Sequence, residues 1–312
     1  MRVAIVALIV ACTVGAGWAE IRVHPGGKEI PANSFVRVVS ETESPVQQLY
    51  VKSKDGLDVA AALRKPKGNG PFPALIYFHG WYGGRGMEEL TEWVLGVHGS
   101  PVLERFLQEG FVVVAADYRG GSRSVEEALR PIPEGGVTFL DDCLAVVDHV
   151  RTLPYVDPAR INLYGSSFGA NLAAHAAGRR NVHAAVLAGA VVTGFLGANV
   201  PQQKPGMDRV QAYKGLKLDE ALARKNVEAL ECPVLIIVGK DDFLTDINQK
   251  LYDRMVNAGK TVRMDLYENV YHGFEVGPRA MAGPPSKQRE PVLEGTLDAL
   301  QRAIDFFRNP RP

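Results

Sequence analysis

Cysteine is scarce: three in 312 residues. Cys12 falls in the N-terminal apolar stretch, while Cys143 lies in a helical pattern and Cys232 at the start of a strand pattern. None has metal-ligand spacing, so neither a zinc site nor a dense disulfide framework is indicated, and the two later cysteines read as buried free thiols. Excess charge is missing too. Lys plus Arg and Asp plus Glu both number 35, and no basic run stands out. That removes the electrostatic footprint of a nucleic-acid binder. The chain has no Asn-x-Ser/Thr acceptor, no internal repeat and no low-complexity tract. What is present is 46% hydrophobic and 22% charged residues, material for one large α/β domain or two small ones.

The N-terminus carries an address. Met1-Arg2 precedes the apolar run Val3 to Ala11, and small residues lead to Gly17-Trp18-Ala19. This order reads as a secretory leader over residues 1–19, cleaved after Ala19, and predicts a secreted or periplasmic protein. The run is too short for a membrane-spanning helix of ~20 residues, so no stable span is expected in the mature chain. Ile9-Val10-Ala11-Cys12 offers an alternative, a lipoprotein anchored at Cys12.

Residues 20–45 read as an extended lead-in, and a single domain is expected over 46–308. Strand-like runs cover 48–53, 57–63, 74–78, 111–116, 161–164, 184–188, 234–238 and 262–266. Lys54-Asp55-Gly56 joins the first two as a hairpin turn. The later runs are short and nearly all apolar, as strands buried on both faces are. Helical patterns lie between them, at 89–108 (broken by Pro101), 139–152, 246–258 and 291–307. The pattern predicts an α/β fold: an eight-stranded, mainly parallel sheet with helices on both faces. The stretch 191–230 interrupts the alternation and reads as a small insertion over the strand ends.

Gly165-Ser166-Ser167-Phe168-Gly169 follows the apolar run Ile161 to Tyr164 and precedes an Ala-rich stretch from Ala170 to Ala177. A G-x-S-x-G motif between a strand and a helix forces a sharp turn that exposes its central serine, here Ser167. Ser166 would be the nucleophile only in a shifted register. A serine needs a base, and the base needs a partner to hold its tautomer. The next-to-last strand is followed by Gly239-Lys240-Asp241-Asp242-Phe243-Leu244-Thr245, and the last by Tyr271-His272-Gly273-Phe274. Ser167, Asp242 and His272 thus stand in the order Ser…Asp…His at three strand ends, where open α/β sheets place their ligands. Asp241 and Asp246 compete with Asp242.

On these residues, with Leu153-Pro154-Tyr155 before the elbow and Cys232-Pro233-Val234 before the acid, residues 46–308 resemble an α/β-hydrolase of the dienelactone hydrolase and prolyl-oligopeptidase-like group. The resemblance selects Asp242 as the acid. It implies an oxyanion hole from the backbone N–H groups of Phe168 and Trp81, with Gly80 second to Trp81. Tyr82, Tyr118, Phe195, Phe243 and Phe274 are candidate pocket walls, and Asp117-Tyr118-Arg119 is expected to tie loops together. A serine nucleophile departs from dienelactone hydrolase, which uses cysteine. Only the lead-in is expected to precede the domain, so no peptide-gating propeller is expected either. The expectation is an exported hydrolase of small carboxylic esters, with no metal or organic cofactor. A small peptidase or amidase is the alternative within enzymes, and a non-catalytic binding protein on a hydrolase scaffold the alternative outside them. The oligomeric state is not readable.

Overall fold

The computed structural model describes residues 17–30, 39–80, 84–95, 102–119, 138–198, 208–276 and 292–310. Its strands are β1 (Ala19–Pro25), β2 (Glu29–Ile30), β3 (Gln47–Lys52), β4 (Asp58–Arg64), β5 (Phe72–Phe78), β6 (Val112–Ala116), β7 (Val156–Ser166), β8 (Ala184–Ala188), β9 (Val234–Gly239), β10 (Val262–Glu268) and β11 (Val292–Leu293). Nine of them form one sheet in the order β1-β10-β9-β8-β7-β5-β6-β4-β3, and β2 pairs with β11. From β1 to β6 every neighbouring pair is parallel, and β4 and β3 close the far side antiparallel.

Sequence pattern explains each layer. β6, β8 and β9 are buried throughout, because helices cover both faces of a parallel sheet. Edge strand β3 alternates between less and more exposed residues, the period of a strand with one wet face. The helices are α1 (Gly86–Val94), α2 (Val102–Gln108), α3 (Phe139–Arg151), α4 (Phe168–Ala177), α5 (Arg209–Tyr213), α6 (Glu220–Glu228), α7 (Thr245–Asn257) and α8 (Glu294–Arg308). One hydrophobic cluster joins one sheet face to α3, α4, α6 and α7, and the other joins the opposite face to α1, α2 and α8. A capping box starts α3: the Leu140 N–H donates to Thr138 Oγ1 at 3.2 Å, and the Thr138 N–H to Asp141 Oδ2 at 2.8 Å.

Among the described residues the main sheet has nine strands, where eight are expected. The extra one is β1, drawn from the segment read as lead-in and laid parallel on β10 from Ala19↔Val262 to Pro25↔Glu268. Its pairing partner is far away in sequence, and Pro25-Gly26-Gly27 masks its period, so no local signal marks it. β7 also begins earlier than its apolar run, at Val156, which pairs with Phe72 of β5 before a bulge shifts the register and pairing resumes at Ala74↔Ile161. Among the described residues no helix is long and apolar enough to cross a membrane. Cys143 and Cys232 are buried free thiols.

Candidate active site

Where β7 turns into α4, Ser167 sits at φ 51° and ψ −114°, a left-handed conformation that costs a non-glycine residue ~1–3 kcal/mol. Close packing enforces the turn: a Cβ on Gly165 would lie 2.4 Å from the Gly169 carbonyl oxygen. The motif's glycines are therefore contact surfaces. Two hydrogen bonds then lock the elbow to the end of β8, Ser167 N–H to Ala188 O at 2.8 Å and Val191 N–H to Ser167 O at 3.1 Å.

The loops after β9 and β10 bring their side chains to this point. Asp242 is buried, and its Oδ1 accepts the Leu244 N–H at 3.0 Å, which turns Oδ2 toward His272. His272 Nδ1 lies 2.8 Å from Asp242 Oδ2, and His272 Nε2 lies 3.1 Å from Ser167 Oγ. An ionised carboxylate only accepts, so Nδ1 carries the proton and Nε2 presents its lone pair to the serine hydroxyl. Burial pushes the His272 pKa down, but the hydrogen bond and charge of Asp242 outweigh it, helped by Glu275 and opposed by Arg209. The net shift is upward. The competing residues are engaged elsewhere: Asp241 is exposed, Asp246 accepts the Gly215 N–H, and Ser166 Oγ bonds Glu275.

The segments on either side of the loop after β5 are tied to Asp117. This carboxylate, at the end of β6, accepts backbone N–H groups from Arg85, Gly86 and Tyr118, each at 2.9 Å, and lies 3.3 Å from His79 Nε2. Burial raises its pKa, those donors lower it, and the donors prevail. Tyr118 stacks on His79 with ring centroids 4.1 Å apart and donates to the His79 carbonyl at 2.6 Å. The β5 loop and the start of α1 are thereby tied together. Phe168 opens α4, buried against Tyr118 and Phe139. Trp81 and Tyr82 lie outside the described residues. Among the described residues no group of three or more His, Cys, Asp and Glu side chains is arranged to hold a metal ion.

Residues 100–282 match the prolyl oligopeptidase family, more than half of the chain. The chain belongs to the prolyl oligopeptidase family. It is accordingly a serine hydrolase. It is 23% identical to protein usf of Aquifex pyrophilus over 276 residues, which cover 84% of this chain and 97% of that one. Its fold superposes on a hyperthermophilic esterase from Pyrobaculum calidifontis with a TM-score of 0.58 at 19% identity, covering 89% and 88% of the two chains. It also superposes on Porphyromonas gingivalis dipeptidyl peptidase 4, with a TM-score of 0.57 at 20% identity, covering 86% of this chain and 36% of that one.

In this prolyl oligopeptidase family member the candidate pocket aromatics part company. Phe243 flanks the site: its ring lies 4.9 Å from the His272 imidazole and 5.2 Å from Tyr213 of α5. Tyr118, Phe195 and Phe274 are buried in the packing and take structural roles instead. Tyr118 supports His79, Phe195 packs on His175, and Phe274 packs on Tyr267 on the opposite face of the sheet. Aromatic side chains near strand ends fill such positions because they bury large apolar areas. Two charged neighbours of the imidazole escape a reading of the sequence. Glu275 stands three residues beyond His272, hidden between Phe274 and Val276. Arg209 stands in the insertion, with its guanidinium 5.7 Å above the Phe243 ring.

Proposed function

We propose that this protein is an exported serine hydrolase that cleaves small carboxylic esters through Ser167, His272 and Asp242. The observation that carries the reading is the unbroken hydrogen-bonded chain from Ser167 Oγ through His272 to Asp242. Ser167 Oγ attacks the ester carbonyl carbon while His272 Nε2 takes its proton. The tetrahedral oxyanion is held by the backbone N–H of Phe168, with Trp81 as the second donor. Collapse breaks the bond to the alcohol oxygen, which leaves with the proton from His272. Water then gives a proton to His272 and attacks the acyl-enzyme, freeing the acid and returning the proton to Ser167. The chemistry calls for no metal or organic cofactor.

The same steps cleave an amide when the leaving nitrogen is accommodated. Membership of the prolyl oligopeptidase family favours this second reading. Turnover of p-nitrophenyl acetate, butyrate and octanoate, beside short peptide p-nitroanilides, separates the two. Ser167→Ala should abolish most of it, and ester turnover that survives would remove Ser167 as nucleophile. A fluorophosphonate probe that leaves Ser167 unlabelled would instead point to an inert scaffold.

Export rests on the leader-like N-terminus. Cleavage after Ala19 leaves Glu20 to Pro25 to pair with β10. The exported protein should begin at Glu20, whereas a lipid-modified Cys12 at its start would identify a lipoprotein.

A further inference from the structure

Glu275 is a buried carboxyl group that the proposed reaction does not use. It is 1% exposed and sits in the 3-10 turn Phe274–Val276 just past His272. Thr296 of α8 anchors that turn by donating to the Phe274 carbonyl at 2.7 Å. Glu275 Oε1 accepts from Ser166 Oγ at 3.1 Å, the residue before Ser167, while Oε2 is buried with no hydrogen-bond partner among the described residues. A carboxyl group is costly to bury and costlier to leave half-satisfied. Its location gives a reason. A Cβ on Gly189, at φ +50°, would lie 3.3 Å from both Glu275 Oε1 and His272 Cε1. Both groups thus border the space left by the missing side chain at Gly189, which puts the carboxyl oxygen and the imidazole edge no farther apart than twice that distance.

We propose that Glu275 is a second carboxyl partner of His272, a positioning residue that is tethered through Ser166 to the serine elbow and supports the positive charge the imidazole gains in the reaction. The inference rests on His272 being the base. Asp242 works through a direct hydrogen bond at Nδ1, whereas Glu275, itself buried, works by proximity from the Cε1 side. Electrostatics agrees with this placement. Burial pushes the Glu275 pKa up, the charge of His272 only partly offsets this so the net shift is upward, and Glu275 in turn raises the pKa of His272, so the two titrate as a coupled pair. The charged groups acting on the imidazole are Asp242 from the β9 loop, Glu275 from the turn and Arg209 from α5. The charge of Glu275 also adds to burial in raising the phenols of Tyr77 of β5 and Tyr164 of β7.

Glu275→Gln keeps the acceptor for Ser166 and removes the charge. With p-nitrophenyl acetate, kcat should fall about tenfold with KM nearly unchanged. The His272 titration, followed by NMR of its Cε1–H, should move down by about one pH unit. The melting temperature should hold or rise, because a half-satisfied buried acid has been removed. Glu275→Asp, which keeps the charge, should recover part of both the rate and the titration. A Glu275→Gln protein that melts lower yet keeps its kcat and its His272 titration would reduce Glu275 to a structural acid and overturn the proposal. The NMR titration needs no substrate. An enzyme inactive on esters would therefore count against the ester reading alone, while an unmoved titration would sink the role of Glu275.

Discussion

Gly169 packs so closely on Phe78 that a Cβ at position 169 would lie 2.1 Å from the Phe78 carbonyl oxygen. The first turn of α4 therefore rests on the end of β5, the strand that leads into the loop proposed to supply an oxyanion donor. Gly169→Ala must push the two apart and carry Ser167 and the Phe168 N–H with them. Overpacking of this kind costs ~1–3 kcal/mol, and displacement at the reacting end should lower turnover by about a hundredfold. Gly178→Ala is the matched control, since its nearest neighbour is a side-chain carbon, Ala229 Cβ, at 3.4 Å. Urea unfolding and ester turnover of both variants, side by side, test the contact.

Ser167 carries strain that a glycine would not. At φ 51° and ψ −114° its side chain is held against its backbone preference. Ser167→Gly should therefore be about 1 kcal/mol more stable than Ser167→Ala, though both are inactive. The comparison cancels the loss of the hydroxyl, which the two variants share. Equal urea midpoints would mean that the elbow stores no strain.

How much of this was legible in the sequence varies from residue to residue. The elbow announced itself because its motif lies between a strand period and an Ala-rich helix, and all of that information is local. His272 was readable from order and position at a strand end, whereas Asp242 was separated from Asp241 and Asp246 only by the family resemblance; the structure brings both His272 and Asp242 to Ser167. β1 was not readable, since its partner β10 comes in sequence only after the rest of the sheet, and Pro25-Gly26-Gly27 reads as loop. Tyr118 and Phe274 stand near strand ends and Phe195 in the insertion, as expected, but all three turn into the packing, a choice made by tertiary neighbours. Glu275 and Arg209 bear on the imidazole only through folding. One is carried there by a short turn after β10, the other by a helix in the insertion.

The pH profile should report the surroundings of His272. A base must be neutral to take the serine proton, so the acid limb of kcat/KM follows the imidazole pKa. That pKa is raised, so the limb should lie above the ~6.5 of an ordinary histidine. Asp242→Asn removes the largest upward influence and should move the limb to lower pH while cutting kcat sharply. Arg209→Gln removes an opposing cation and should move it to higher pH. The sign for stability follows. A raised native pKa contributes stability fully below the unfolded value of ~6.5 and loses it as pH rises through the native value. A limb at or below 6.5 in the unmodified protein would contradict this electrostatic picture.

His175 carries the opposite sign. It is 2% exposed in α4, packed on Phe195 at 4.9 Å, with its Nδ1 3.1 Å from the Arg179 guanidinium. Burial first and Arg179 second push its pKa down to about 3. The unfolded chain takes up a proton on this residue near pH 6.5, whereas the native protein does not until about pH 3. Stability must therefore fall as pH drops through that window. Carboxylates held below their usual range, such as Asp117 and Asp298, lower stability in the same direction, but only near and below pH ~4. His183, also shifted down, shares the upper window while only half-buried. Between pH 6.5 and 4.5 His175 should then account for about 2 kcal/mol of lost stability. His175→Leu should flatten the slope of urea-unfolding free energy against pH in that interval, whatever it does to the absolute stability. A variant whose slope matched the parent would show that this imidazole is protonated in the native state after all.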